Sequence, residues 1–218
     1  MAERSGLTRE KLLAAALDVY ARGGSRAATT RRIAAQAGVN EVTLFRLFQS
    51  KDQLLEAALA PTASATGEFR LPSRPRSPRA ELVSWSAVFL AHMRERAPVI
   101  RTCMAEAAER PEGIGQVTAI PRRALAELAR YLGALRESGF VEDVKDSTAL
   151  DAHAAGLIAA LFTDGVTREI LPEMFPPERQ VPDRYVDSLL AALGVGRGAP
   201  PARVRAAPPP SLPDATGA

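Results

Sequence analysis

Between Thr29 and Lys51 the chain reads TTRRIAAQAGVNEVTLFRLFQSK, two short helical repeats joined by a glycine turn. Thr29 or Thr30 is placed to cap the first repeat, in which Ile33, Ala34 and Ala37 recur at three and four residues and make one apolar stripe. Gly38 follows the last periodic residue, where the positive φ that closes a helix is easily reached, and Asn40 is a strong N-cap for the second repeat. The connection is therefore about three residues long, as a helix-turn-helix requires. Val39 before the cap and Leu44 within the helix are spaced as a hydrophobic staple.

The second repeat divides into two faces. Leu44, Leu47 and Phe48 are expected to point inward, leaving Val42, Phe45 and Arg46 outside, with Glu41 and Thr43 near the helix N-terminus. A helix presented this way can meet base edges and phosphates in a major groove. Ser50-Lys51-Asp52-Gln53 reads as a capping box opening a further helix through Leu54, Leu55, Ala58 and Leu59. Upstream, Thr8 is placed to cap a helix carrying Leu13, Ala16, Leu17 and Tyr20 on one face and ending at Gly23-Gly24. Strand signals are absent from this pattern, and an all-α bundle is expected.

Over roughly its first 60 residues the chain resembles the TetR family of transcriptional regulators. The resemblance is carried by Leu17 to Gly24, Thr30-Arg31-Arg32-Ile33-Ala34, Ala37-Gly38-Val39-Asn40, Thr43-Leu44-Phe45, and Phe48 with Lys51, Leu54 and Leu55. It implies a DNA-binding site formed by Thr30 and Arg31 on the second helix, Asn40, Glu41, Thr43, Phe45 and Arg46 on the third, and Lys51 at the start of the fourth. Two positions depart from the family pattern. Phe45 stands where a tyrosine is usual and cannot donate a hydrogen bond to phosphate, and Leu47 replaces a frequent histidine or aromatic and reads as structural.

Charge is distributed unevenly along the chain. Between Gly24 and Lys51 five bases, Arg26, Arg31, Arg32, Arg46 and Lys51, face the single acid Glu41, whereas residues 81–194 hold twelve bases and seventeen acids. The overall +3 thus conceals a basic head, suited to phosphates, and an acidic body. A basic surface of this kind is also compatible with mere solvation, so the spacing of the helices weighs more than the charge.

With 218 residues, 46% apolar and 24% charged, the chain is long enough for a small and a larger domain. The expected division is a helix-turn-helix domain over 6–60, a helical ligand-binding and dimerisation domain over 79–194, and a disordered tail over 195–218. A fourth helix links the first two. Pro61 to Gly67 and Leu71 to Pro78 are rich in helix breakers and read as a solvated linker. Further helices are expected over 79–96, 98–110, 120–138, 147–171 and 182–193, separated by prolines and Gly139. The apolar stretches look far short of a bilayer's thickness, the N-terminus MAERSGLTREK holds no apolar run, and the single Cys103 excludes an intramolecular disulfide. A cytoplasmic location with no membrane attachment is the corresponding expectation.

Two apolar stripes near the end bear on assembly: Leu150, Ala154, Leu157, Ile158 and Leu161, then Tyr185, Val186, Leu189, Leu190 and Leu193. Packing within one chain would explain both. The resemblance instead implies a homodimer paired through these two helices, with Leu150, Ala154, Leu157, Leu161, Tyr185, Leu189 and Leu193 at the interface. Two recognition helices would then read a palindromic operator in double-stranded DNA. The resemblance further implies repression relieved by a small-molecule effector held among the middle helices. Trp85, Phe89, His92, Met93, Cys103, Met104, Leu128, Leu132, His153, Leu157 and Phe162 are the candidate lining for a hydrophobic ligand, and they suit a plain core equally well.

Neither a metal site nor a cofactor is expected, since two isolated histidines and one distant cysteine lack ligand spacing. No glycine-rich phosphate loop, GxSxG, HExxH or CxxC occurs, and Ser84-Trp85-Ser86 has no triad partners nearby, which argues against catalysis. The alternative from another class is a helical protein-interaction module with non-specific DNA affinity. The ordered Arg31, Gly38, Asn40 and Lys51 spacing argues against it, and salt dependence with sequence preference would separate the two.

Overall fold

A computed structural model describes residues 2–60, 69–141 and 147–195, and among these every regular element is helical. The N-terminal head contains α1 (Ala2–Ala27), α2 (Thr30–Ala37), α3 (Glu41–Phe48) and α4 (Lys51–Leu59). Helix α1 packs on α2 and α4, and α2 and α4 each contact α3. Their shared core is Leu12, Ala16, Val19, Tyr20, Ile33, Ala34, Leu44, Phe48, Leu54 and Leu55. Each fully buried leucine in this set contributes about 1.5–3 kcal/mol by leaving water, which is why helices of eight or nine residues persist here.

Helix α1 differs from the expected form at both ends. It begins at Ala2, well before Thr8, and its inward face is centred on Leu12, Ala16 and Val19, with Leu13 and Leu17 only partly buried. At Gly24 the backbone leaves helical geometry at φ 69, ψ −171, a region that residues other than glycine essentially never occupy. The chain turns there, and a further helical turn runs to Ala27.

The body contains α5 (Pro78–Glu106), α6 (Glu112–Val117), α7 (Ala119–Glu137), α8 (Ser147–Thr167) and α9 (Asp183–Ala192). Two short 3₁₀ turns, Pro172–Met174 and Glu178–Gln180, lie between α8 and α9. Helix α5 is continuous through Pro98, where a break was expected. Leu90, Met93 and Ala97 before the proline and Val99, Ile100 and Cys103 after it are all buried, so packing on both sides holds the helix together although one backbone donor is missing. The helix also passes directly from the body to the head, because α1 lies against it.

Helix α8 is the centre of the body, in contact with α5, α7 and α9. It ends at Thr167, short of the expected residue 171. The expectation that apolar stretches fall far short of a bilayer is corrected here: Thr148–Thr167 is long and apolar enough, by length and composition, to cross a membrane. Burial of Leu150, Ala154, Leu157, Ile158, Leu161 and Val166 accounts for that character as helix packing. Asp164 on the same helix is fully buried, accepting hydrogen bonds from Arg168 Nε (2.6 Å) and the Tyr185 hydroxyl (2.9 Å), with Arg94 Nη2 at 3.5 Å. This carboxylate fastens α5, α8 and α9 together.

Part of the expected linker, Pro61 to Gly67, and the tail beyond Val195 lie outside the described residues. The remainder is not the solvated linker expected. Phe69, Leu71, Pro75 and Pro78 are buried, the Leu71 N–H donates to Glu127 (2.7 Å), and its carbonyl accepts from Arg130 (2.7 Å). Phe69 also packs edge-on against Phe89 and His92, so this segment is an ordered strap across α5 and α7.

Candidate nucleic-acid interface

The helix-turn-helix is set by three caps. Thr29 is the residue that caps α2, accepting from the Arg32 N–H (3.3 Å), and Asn40 caps α3 by accepting from the Val42 N–H (2.9 Å). Between them Gly38 adopts φ 67, ψ 33, while the Val39 N–H reaches back to the Ala34 carbonyl (3.0 Å) and closes α2. Ser50 accepts from the Gln53 N–H (3.1 Å), but its own N–H donates to the Phe48 carbonyl, so the expected reciprocal box is only half formed.

These caps fix what α3 shows to solvent. Leu44 and Phe48 are buried and Leu47 packs partly against the core, whereas Val42 is 73% and Phe45 46% exposed. Arg46 is exposed beside them, and Arg31 is exposed on α2. Among the described residues neither arginine has an ion pair or side-chain hydrogen bond, so both guanidinium groups are available to an outside anion. The surface therefore combines two free cations with an apolar pair, the mixture that phosphates and thymine methyl groups require.

Of the other expected contacts, all but Thr43 have side chains with partners inside the protein. Thr30 and Glu41 are half-buried, and the threonine hydroxyl donates to the Glu41 carboxylate. The Asn40 oxygen is used in its cap, and Thr43 is half-buried. Lys51 donates from Nζ to the Ser25 carbonyl (3.0 Å), joining the start of α4 to the turn after Gly24. Arg26 pairs with Glu109 (3.0 Å), and Arg32 donates to the Ala27 carbonyl (3.3 Å), so these two bases are also engaged within the protein.

A second cluster was not apparent in the sequence. At the junction of head and body Glu106 accepts from the Tyr20 hydroxyl (3.0 Å) and the Ser25 N–H (2.8 Å), and Thr102 donates to the Ala21 carbonyl (3.0 Å). Arg110 donates to the Ser25 hydroxyl and pairs with Asp52 at 3.4 Å. Burial, and then the neighbouring Cys103 and the Glu106 hydrogen bond, push the Tyr20 phenol above its ordinary pKa, so it remains a donor. A cavity of about 340 Å³ opens beside this cluster, lined by Tyr20, Ser25, Asp52, Leu55, Glu56, Leu59, Glu106, Arg110 and Gln116. The sequence signal was slight: a small polar residue after two glycines, and acids on a helix end far along the chain.

The ligand lining expected from sequence is dispersed. Trp85, Phe89, Met93, Cys103, Leu128, Leu132 and Leu157 are buried as core, and Trp85 stacks on Phe89 with 5.9 Å between centroids. Met104 is 52% exposed, which removes it from any interior wall, while His153 and Phe162 are half-buried. His92 borders a void of about 10 Å³, and Trp85 borders an open groove with Leu71 and Val88. A single pocket lined by the whole set is thus corrected: most of these side chains fill the space between α5, α7 and α8 themselves. Among the described residues no group of three or more His, Cys, Asp or Glu is arranged to hold a metal ion.

The expected dimer-contact residues are likewise turned inward. Leu150, Ala154, Leu157, Leu161, Leu189 and Leu193 are buried within the single chain, and Tyr185 is engaged with Asp164. The side of α8 left to solvent carries Thr148, Asp151, Ala152, Ala155, Gly156, Ala159 and Thr163. The period of the helix shows that two faces differ, but not which one is inside.

An all-helical fold whose head exposes a capped third helix, with Arg31 and Arg46 in solvent beside it, defines a helix-turn-helix DNA-binding protein. Residues 12–58 match the model for bacterial regulatory proteins of the tetR family. The chain is 30% identical over 135 residues to the uncharacterized HTH-type transcriptional regulator YvkB of Bacillus subtilis, a match covering 62% of this chain and 71% of that protein. This chain belongs to the TetR family and is a transcriptional regulator with a helix-turn-helix DNA-binding domain. Its fold is shared with a crystal structure assigned to the TetR family from Mesorhizobium loti MAFF303099, at TM-score 0.64 and 19% identity over 87% of this chain and 96% of the other. It is shared also with the flavonoid-responsive regulator FrrA, at TM-score 0.63 and 18% identity over 86% and 95%.

Proposed function

We propose that the chain is a homodimeric repressor in the cytoplasm that binds a palindromic operator and releases it when a small ligand binds the body. In this reading residues 6–60 form the DNA-binding domain and 79–194 the ligand-binding and dimerisation domain. Arg31, Phe45 and Arg46 meet the DNA directly, with Val42 beside them. Lys51, whose ammonium retains two further donors, adds a phosphate contact while bracing the head. Thr30, Asn40, Glu41 and Thr43 border the same surface, and the first three act mainly by positioning α2 and α3. The observation that carries the reading is that Arg31 and Arg46, which have no ion pair or side-chain hydrogen bond among the described residues, lie beside the exposed Val42 and Phe45.

Dimerisation is supported by the exposed face of α8. Ala152, Ala155, Gly156, Ala159 and Thr163 lie at helical spacing with no bulky side chain, which allows a second helix to approach closely. A two-fold pair would place the recognition helices about 34 Å apart, one turn of DNA. Ligand response is supported by family membership and by the ligand response of FrrA, which shares the fold. Sedimentation of the free and DNA-bound protein tests the assembly. The wild type is expected to run as a dimer and Ala155→Arg, on an exposed site that costs the monomer nothing, as a folded monomer with weak DNA binding. A monomeric wild type, or a dimer unaffected by Ala155→Arg, contradicts this arrangement.

A further inference from the structure

We propose that the cleft between head and body is a binding site for an organic cation with a compact apolar part, and that its occupancy is coupled to the position of the head. The coupling to DNA rests on the regulator reading above, whereas the binding of the cation does not. At about 340 Å³ the cleft has the size of a small-molecule site, for which roughly 300–1,000 Å³ is usual. Leu55 and Leu59 of α4 give it an apolar wall, and Tyr20 borders it.

Charge selects the ligand. Three carboxylates, Asp52, Glu56 and Glu106, border the cleft against one guanidinium, Arg110. Arg110 is already paired with Asp52, and Glu106 is engaged by Tyr20 and the Ser25 N–H. Glu56 has no ion pair or side-chain hydrogen bond among the described residues, so it is the carboxylate open to an incoming charge. An anion would meet an excess of negative charge, and a neutral molecule would desolvate carboxylates with no compensating partner. A cation meets Glu56 and lays its apolar part on Leu55 and Leu59.

The same residues hold the head in place. Ser25 gives its N–H to Glu106, its hydroxyl accepts from Arg110, and its carbonyl accepts from Lys51 at the start of α4, directly after the recognition helix. A cation that draws Asp52 or Glu106 toward itself competes with these ties. Binding in the cleft and on DNA are then linked, each lowering the other's affinity by the same factor.

Calorimetry on the full chain with benzyltrimethylammonium, 2-phenylethanol and phenylacetate tests the site. The cation is expected to bind about tenfold or more tighter than the alcohol, with phenylacetate weaker still. Glu56→Gln should weaken the cation severalfold and Glu56→Lys should abolish it. A thermal melt establishes that both variants fold, since Glu56 is exposed. Equal affinity for the three probes, no binding of the cation, or an affinity unchanged by Glu56→Lys overturns the proposal. Cation binding without any effect on affinity for a selected operator overturns the coupling. Sequence-selective DNA binding in the absence of the cation reads the regulator function separately, so the two failures are distinguishable.

Discussion

The Thr30 hydroxyl donates a hydrogen bond to the Glu41 carboxylate, joining the first turn of α2 to the first turn of α3. The only acid in the basic stretch from Gly24 to Lys51 is thereby held against protein, and it ties together the two helices proposed to meet DNA. Thr30→Val keeps the shape and removes the donor. The variant is expected to lose about 1 kcal/mol in urea unfolding and to bind its selected DNA more weakly, because α3 is less firmly oriented. Unchanged stability and affinity would show that the bond does not position the helix.

Arg31 and Arg46 present the opposite case, since neither supports the fold. Arg31→Ala and Arg46→Ala should each leave stability within about 0.5 kcal/mol while reducing DNA affinity. A base contact would cost about 1–3 kcal/mol and relax preference at one position, whereas a phosphate contact would lower all affinities and the slope of binding against salt. Titrations of selected and scrambled duplexes at several salt concentrations distinguish these outcomes, and full retention of affinity removes the residue from the interface.

Gly24 is expected to tolerate no side chain. Its φ of 69 with ψ −171 is a glycine conformation, and a Cβ there would stand 2.2 Å from Glu106 Oε1. Gly24→Ala should destabilise the protein by about 2–3 kcal/mol, through backbone strain and displacement of the carboxylate that holds Ser25 and Tyr20. Chemical denaturation measures the loss; a neutral substitution would show that this turn readily adopts another form.

Asp164 gives the body a specific acid sensitivity. Burial pushes its carboxyl upward, but hydrogen bonds from Arg168 and Tyr185 and the charges of Arg168 and Arg94 outweigh this and hold its pKa below the ordinary carboxylate value. A lowered folded pKa means that the stabilisation is complete above the unfolded value, about 3.9, and disappears as pH falls through the lower folded value. Asp164→Asn should therefore cost about 3 kcal/mol at neutral pH, with the gap from wild type closing in strong acid. A gap independent of pH would contradict the assignment of the charge.

What the sequence made legible was local. Thr29, Asn40 and Ser50 each bond a backbone N–H two or three residues away, and Gly38 closes its own helix, so residue type and spacing sufficed. The junction was hidden because Ser25 and Glu106 are 81 positions apart and only the packing of α1 on α5 brings them together. Pro98 misled for a related reason: the buried residues on either side outweigh one missing hydrogen bond, and periodicity alone does not reveal what they pack against. On α8 the leucines and the alanines each make a helical stripe, and only contact with α5, α7 and α9 identifies the leucine side as the interior.

Selection of bound fragments from random-sequence DNA by the purified full chain tests the central claim most directly, with the winners titrated against salt. The expected result is a two-fold symmetric site with half-sites about one helical turn apart, bound by two chains and lost when Arg46 is replaced by alanine. Weak binding to every fragment, with no enriched sequence and no dependence on Arg46, would contradict it.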